Sequence, residues 1–87
     1  MSWRIVFTKQ ARKDAERIAS CGLKRKVERL LAVISTDPFQ SPPRYEKLVG
    51  DLAGAFSRRI SIQHRLVYQV LEEERVIKII RMWTHYE

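Results

Sequence analysis

Apolar and polar residues alternate in two rhythms along this chain, one helical and one extended. "WRIVF" (Trp3–Phe7) is a short β-prone run and predicts a buried strand. Thr8 then offers a helix N-cap for "KQARKDAERIAS", in which Ala11, Ala15, Ile18 and Ala19 share one face with Lys and Arg opposite. Cys21–Gly22 is a stop, because glycine tolerates the left-handed conformation that ends helices. A second amphipathic stripe follows: Leu23, Val27, Leu30, Leu31 and Ile34 recur at helical spacing. The prolines of "TDPFQSPPRY" forbid its continuation. Beyond them the rhythm shortens. "YEKLVGDLAG" reads as a loop or short edge strand near Tyr45–Leu48. "AFSRRIS", "HRLVYQVL" and "RVIKIIRMW" read as strands, with "IQ" and "EEE" as hairpin connections.

The order β-α-α-β-β-β predicts an α+β fold in one domain spanning residues 1–87. Two N-terminal helices would pack on one face of a four- to five-stranded, mainly antiparallel sheet, leaving the other face free for function. A chain of this length buries only about 60–65% of its unfolded surface, so stability is modest.

Charge sharpens the picture. The formal net charge is +7, and it is uneven: residues 1–44 carry ten Lys/Arg against four Asp/Glu, and residues 45–87 carry seven against six. The first half would supply long-range attraction to a polyanion. Lys24, Arg25, Lys26 and Arg29 on the second helix are its densest cluster. Arginines in the second half sit among acids, which suggests local duty. Cys21 is the only cysteine and has no Cys or His neighbour at zinc-ligand spacing, so neither a disulfide nor a metal site is expected. No leader and no membrane-spanning run is visible, and a cytoplasmic location is expected.

Strand alternation then sorts the arginines. Leu66, Tyr68 and Val70 would face the core, and Arg65, Val67 and Gln69 the open side. Arg59 shares a polar face with Ser57 and Ser61, whereas Arg58 falls on the apolar row of Phe56 and Ile60. If the polar faces coincide, Arg59 and Arg65 stand together. Arg81, Trp83 and His85 alternate together on the last strand, but both its faces are partly apolar, so its orientation stays open. Glu46 precedes the sheet, and His85 lies near the end. A carboxylate, a guanidinium and an imidazole suffice to cut RNA without a metal, because the nucleophile is the substrate's own 2′-OH. A fixed arginine would stabilise charge building on the phosphate.

The same residues carry a family resemblance. The pattern "L-x-G-x-[FW]-S-R-R-I…H-R-L-V-Y", the stretch "DPFQSPPRYEKLVGDLAG" and the terminal "HY" resemble the YoeB-type mRNA interferase toxins of the RelE/ParE superfamily. The resemblance implies a microbial-ribonuclease-like fold. It implies a ribosome-dependent endoribonuclease that cuts mRNA in the A site of the small ribosomal subunit, in contact with rRNA. It implies Glu46 as general base, Arg65 at the scissile phosphate and His85 as general acid. Tyr86 would position the substrate and Arg59 would lie in the same site. It implies a cognate acidic antitoxin, in a hetero-oligomer or beside a homodimer, and no cofactor. Two positions depart from the family's pattern: Lys47 replaces a proline, and Val49 stands where a lysine is frequent. Lys47 is therefore a substitute candidate for RNA contact. Glu87 adds a negative side chain after Tyr86.

Blander readings stand beside these. Arg65 could pair with the acidic run Glu72–Glu74. Arg58, a candidate substrate contact, has structural duty as its favoured alternative. His64 reads as structural, and Trp3, Trp83 and Phe56 read as packing. The basic helix face would ordinarily be only solvated, although on a ribosome-directed protein it would meet rRNA phosphates. Two other classes compete with the toxin nuclease: a non-catalytic superfamily inhibitor binding gyrase or ribosome, and a plain basic RNA-binding module.

Overall fold

The computed structural model describes residues 3–41, 44–48, 54–62 and 64–82. Strand β1 (Arg4–Phe7) leads into helices α1 (Lys9–Ser20) and α2 (Lys24–Thr36). The sheet is completed by β2 (Tyr45–Lys47), β3 (Ala55–Arg59), β4 (Arg65–Leu71) and β5 (Val76–Arg81). These strands lie in the order β1-β5-β4-β3-β2. Among the described strands, β1 and β5 pair in parallel and the other neighbours antiparallel. The α+β architecture is the expected one, and the short segment at Tyr45 is one of its two edge strands.

The helix punctuation works as read. The Thr8 hydroxyl accepts from the Ala11 N–H at 3.0 Å and donates to the Ile80 carbonyl at 2.9 Å, so one side chain caps α1 and ties it to β5. At the other end Gly22 takes φ +77°, the Leu23 N–H reaches the Ile18 carbonyl and the Gly22 N–H reaches the Ala19 carbonyl. That is the paired bonding that closes a helix on a left-handed glycine.

Pairing fixes the faces, since residues opposed across strands point the same way. Phe7, Ile79 and Tyr68 line the side that meets the helices, joined by Ile5 and Ile77. They pack with Ala11, Ile18, Val27, Leu30, Ile34 and Leu66 into the core. In α1 the buried stripe is Ala11, Asp14 and Ile18, while Ala19 is exposed. Hydropathy passes over Asp14 because it is charged. Its carboxylate accepts from Arg81 Nε and the Met82 N–H, each at 3.1 Å, and from Gln10 Nε2 at 3.0 Å. The open orientation of Arg81 is thereby resolved: it turns to α1, beyond a register shift between Val67 and Tyr68. Trp83 lies outside the described residues.

The connections differ from the two- and three-residue links expected. Pairing of β3 with β4 stops at Arg59↔Arg65, and the Ile60 and Ser61 N–H groups both bond the His64 carbonyl. Ile60 and His64 are buried while Ile62 forms the exposed tip. The β4–β5 turn closes with the Arg75 N–H bonding the Glu72 carbonyl, Arg75 taking φ +54°. The Arg75 guanidinium lies 4.8 Å from the centroid of the half-buried Trp3 ring.

A cation also penetrates the core. Arg58 is 1% exposed. Its Nε donates to Tyr68 Oη at 3.0 Å, its Nη2 donates to the Pro38 carbonyl at 3.0 Å, and Tyr68 Oη donates to the same carbonyl at 2.8 Å. Its guanidinium also lies over the Tyr45 ring, 5.0 Å from the centroid. Phe39, Tyr45, Phe56 and Tyr68 close around it in tilted and edge-to-face contacts. Burial pushes the Tyr68 hydroxyl above its ordinary pKa of 10.0, against the opposing hydrogen bond and charge of Arg58.

Two measurements check this brace. Tyr68→Phe should lower unfolding stability at neutral pH by about 1–3 kcal/mol in urea titrations, because a buried guanidinium and a buried carbonyl each lose a partner. The native state also keeps the Tyr68 proton where the unfolded chain starts to release it. Its contribution is therefore complete below about pH 10 and declines as the pH rises further. Tyr68→Phe should flatten that alkaline decline.

Candidate functional site

The open face of the sheet gathers its polar residues where β2, β3 and β4 lie side by side. Glu46 pairs with Ser57, Ser57 with Val67, and Arg59 with Arg65. The polar faces of β3 and β4 therefore coincide, and Arg59 and Arg65 stand directly opposite each other. Arg44, two residues before Glu46, joins the same side. Arg44, Glu46, Ser57, Arg59 and Arg65 line one cleft of about 300 Å³.

The cleft is electrostatically one-sided. Among the described residues, three guanidiniums face a single carboxylate. Like charges directly opposed across strands repel, so the Arg59↔Arg65 pair costs stability. Glu46 relieves part of it: Glu46 Oε2 lies 3.6 Å from Arg65 Nη1. This ion pair is wet, with the Glu46 side chain 56% exposed, and screening keeps its worth small. Its effect is orientation, holding Arg65 at the β2 side of the cleft. The acidic turn Glu72–Glu74 is beyond the other end of β4, roughly 20 Å away at strand rise. The cleft keeps an excess of positive donors, suited to an anion with several oxygens.

The remaining candidates scatter. Arg58 lies beneath the cleft in the buried brace, where its guanidinium serves Pro38, Tyr45 and Tyr68. Lys47 is exposed and pairs with Phe56, so alternation puts it on the other face from Glu46. His64 is buried just before β4, as its structural reading anticipates. His85, Tyr86, Val49 and Glu87 lie outside the described residues.

The four basic residues of α2 part company. Lys26 and Arg29 join Arg59 around a groove of about 250 Å³ floored by Leu30, Val33 and Ile60. Arg59 borders both hollows, so groove and cleft are neighbours. Lys24 instead borders an apolar depression between α1 and α2, with Ile18, Val27, Leu31 and Met82 among its walls. Arg25 is exposed and lines neither hollow. Arg44 is a cleft residue that sequence reasoning missed. Its signal is the two-residue spacing from Glu46, which carries meaning only once β2 is known to be a strand.

Among the described residues, no helix is long and apolar enough to cross a membrane. Comparison with known proteins identifies the family. Residues 6–86 match a family model described as YoeB-like toxin of bacterial type II toxin-antitoxin system. The chain is 41% identical over 85 residues to Toxin YoeB of Streptomyces coelicolor, covering 95% of this chain and 99% of that one. Among solved structures, it is similar to the YoeB/ParE toxin from Agrobacterium tumefaciens, with a TM-score of 0.86 at 30% identity, covering 95% of this chain and 99% of that one. It is also similar to a chain of the heterotetrameric YoeB–YefM toxin–antitoxin complex from Staphylococcus aureus, with a TM-score of 0.81 at 32% identity, covering 99% and 100%. A family match over nearly the whole chain, together with the same fold at near-complete coverage, settles the lineage: this chain belongs to the YoeB-like toxins of bacterial type II toxin–antitoxin systems.

Proposed function

We propose that the chain is an endoribonuclease toxin that cuts mRNA in the ribosomal A site and so stops translation. The observation that carries this reading is the meeting of Glu46, Arg59 and Arg65, from three strands, in one positively charged cleft. Family membership supports the toxin role, and the cleft supports an RNA phosphodiester as its ligand.

The reaction follows from the parts. The Glu46 carboxylate takes the proton of the ribose 2′-OH, and that oxygen attacks the adjacent phosphorus. Negative charge grows on the non-bridging oxygens as the fifth bond forms. Arg65 and Arg59 meet it with donors already in place, which lowers the barrier without reorganising solvent. The bond from phosphorus to the 5′-oxygen breaks, and His85, assigned by its place in the terminal "HY", supplies the leaving oxygen with a proton. The products are a 2′,3′-cyclic phosphate, open to hydrolysis to a 3′-phosphate, and a 5′-hydroxyl. Tyr86 positions the substrate. DNA lacks the nucleophile and is not cut.

Beyond the scissile phosphate, the neighbouring groove offers Lys26 and Arg29 to further RNA phosphates, of the message or of rRNA. An acidic segment of a cognate antitoxin would compete for the same positive surface. The Staphylococcus aureus relative was solved in a heterotetrameric complex with the antitoxin YefM.

On mRNA-programmed ribosomes, Glu46→Gln should slow single-turnover cleavage by about 10²-fold or more, and Arg65→Ala by a similar factor. A message with 2′-deoxyribose at the cut site should survive intact. Cleavage by Glu46→Gln at the wild-type rate would sink the reading. For the groove, Lys26→Glu with Arg29→Glu should weaken ribosome binding. The same change should flatten its logarithmic salt dependence by about one unit for each phosphate left unneutralised. Lys24→Glu, on the other side of α2, should change that slope much less, as a binding titration across salt concentrations would show.

A further inference from the structure

One group in the cleft has no explanation in the fold. Ser57 is 1% exposed, and its Oγ has no hydrogen-bond partner among the described residues. Buried hydroxyls are nearly always bonded, and an orphan calls for a reason: local strain, a catalytic role, or a water, ion or ligand that completes it. The position does not need a hydroxyl for packing. Its neighbours on the same face, Ala55 and Val67, are apolar and equally buried. An alanine would fill the place without an unpaired polar atom.

The surroundings define what is missing. Ser57 lines the cleft with Arg44, Arg59 and Arg65, whose side chains carry only donors. Glu46, opposite on β2, has its carboxylate at Arg65. A partner arriving among these groups must be an acceptor, and it must be anionic. Ser57 is also the most rigidly placed polar group there. It sits mid-strand between two paired neighbours and precedes Arg58, which the buried brace immobilises. A serine side chain has a single torsion before its oxygen, so it can donate with little entropy lost, unlike the long arginines beside it.

We infer that the Ser57 hydroxyl is a substrate contact that donates to a non-bridging oxygen of the scissile phosphodiester, completing a cradle with Arg59 and Arg65. This rests on the proposed RNA cleavage. The bond to an anionic oxygen is charge-assisted and strengthens as charge accumulates there during attack, so it favours the transition state over the ground state.

The test separates chemistry from folding. In the full chain, Ser57→Ala should melt at the same or a higher temperature, because it deletes an unpaired buried polar group. It should nevertheless cleave the programmed ribosome's message about tenfold or more slowly in single turnover at saturating toxin. Ser57→Thr, which keeps the hydroxyl, should recover most of the rate. Glu46→Gln run in parallel reports on the underlying reading. If Glu46→Gln is inactive while Ser57→Ala cleaves at the wild-type rate, the Ser57 contact is wrong and the cleavage reading stands. If Ser57→Ala loses melting temperature together with activity and Ser57→Thr restores neither, the residue is structural and the inference falls. If Glu46→Gln cleaves normally, the fault lies with the cleavage reading itself.

Discussion

The buried guanidinium of Arg58 is the constraint around which the functional half of the molecule is arranged. A cation in a core is tolerated only when its donors are met, and here the Pro38 carbonyl and the Tyr68 hydroxyl meet them while aromatic faces cover the rest. The bond to Pro38 ties the segment after α2 to the centre of the sheet. The stacking on Tyr45 draws β2 against β3. Because strands alternate with a period of two, turning Arg58 and Tyr45 inward turns Ser57, Arg59, Arg44 and Glu46 outward. A one-residue slip of either strand would bury the cleft residues and expose the brace. The brace thus sets the register, and the register builds the site.

The cleft itself runs against stability. Arg59 faces Arg65, a third arginine stands beside them, and the Glu46 carboxylate among them is exposed and only loosely paired. At its floor a buried hydroxyl goes unbonded among the described residues. Each of these breaks a local rule, and all of them fall within one hollow. Local rules fail most often at functional sites, where an incoming ligand supplies the missing partner. Among the described residues this hollow holds one carboxylate against three guanidiniums, so an anion with several oxygens complements it.

Elsewhere the same small domain satisfies its polar groups economically. Thr8 serves as a helix cap and as a tether to β5. Asp14, fully buried, gathers Gln10, Arg81 and the Met82 backbone at the end of β5. A chain of this length has little core to spare, so side chains that join two elements at once contribute more here than in a larger protein.

What was legible in the sequence is what repeats locally. The two helices, the Thr8 cap, the Gly22 stop and the inward row of Leu66 and Tyr68 follow from spacing alone, because those signals act over a few residues. The motif around Arg59 and Arg65 was equally visible, along with the pairing that their alternation allowed. Tertiary structure decided the rest. Asp14 lies outside the apolar stripe that spacing reveals and yet is core, because its partners Arg81 and Met82 lie 67 and 68 positions away. Arg44 gained its place only when β2 was seen to pair with β3, and Arg58 and Ser57 only when their surroundings were known. Periodicity tells which side chains share a face; whether a polar one is bonded, buried or left waiting for a ligand depends on contacts that are distant along the chain and meet only in the folded protein.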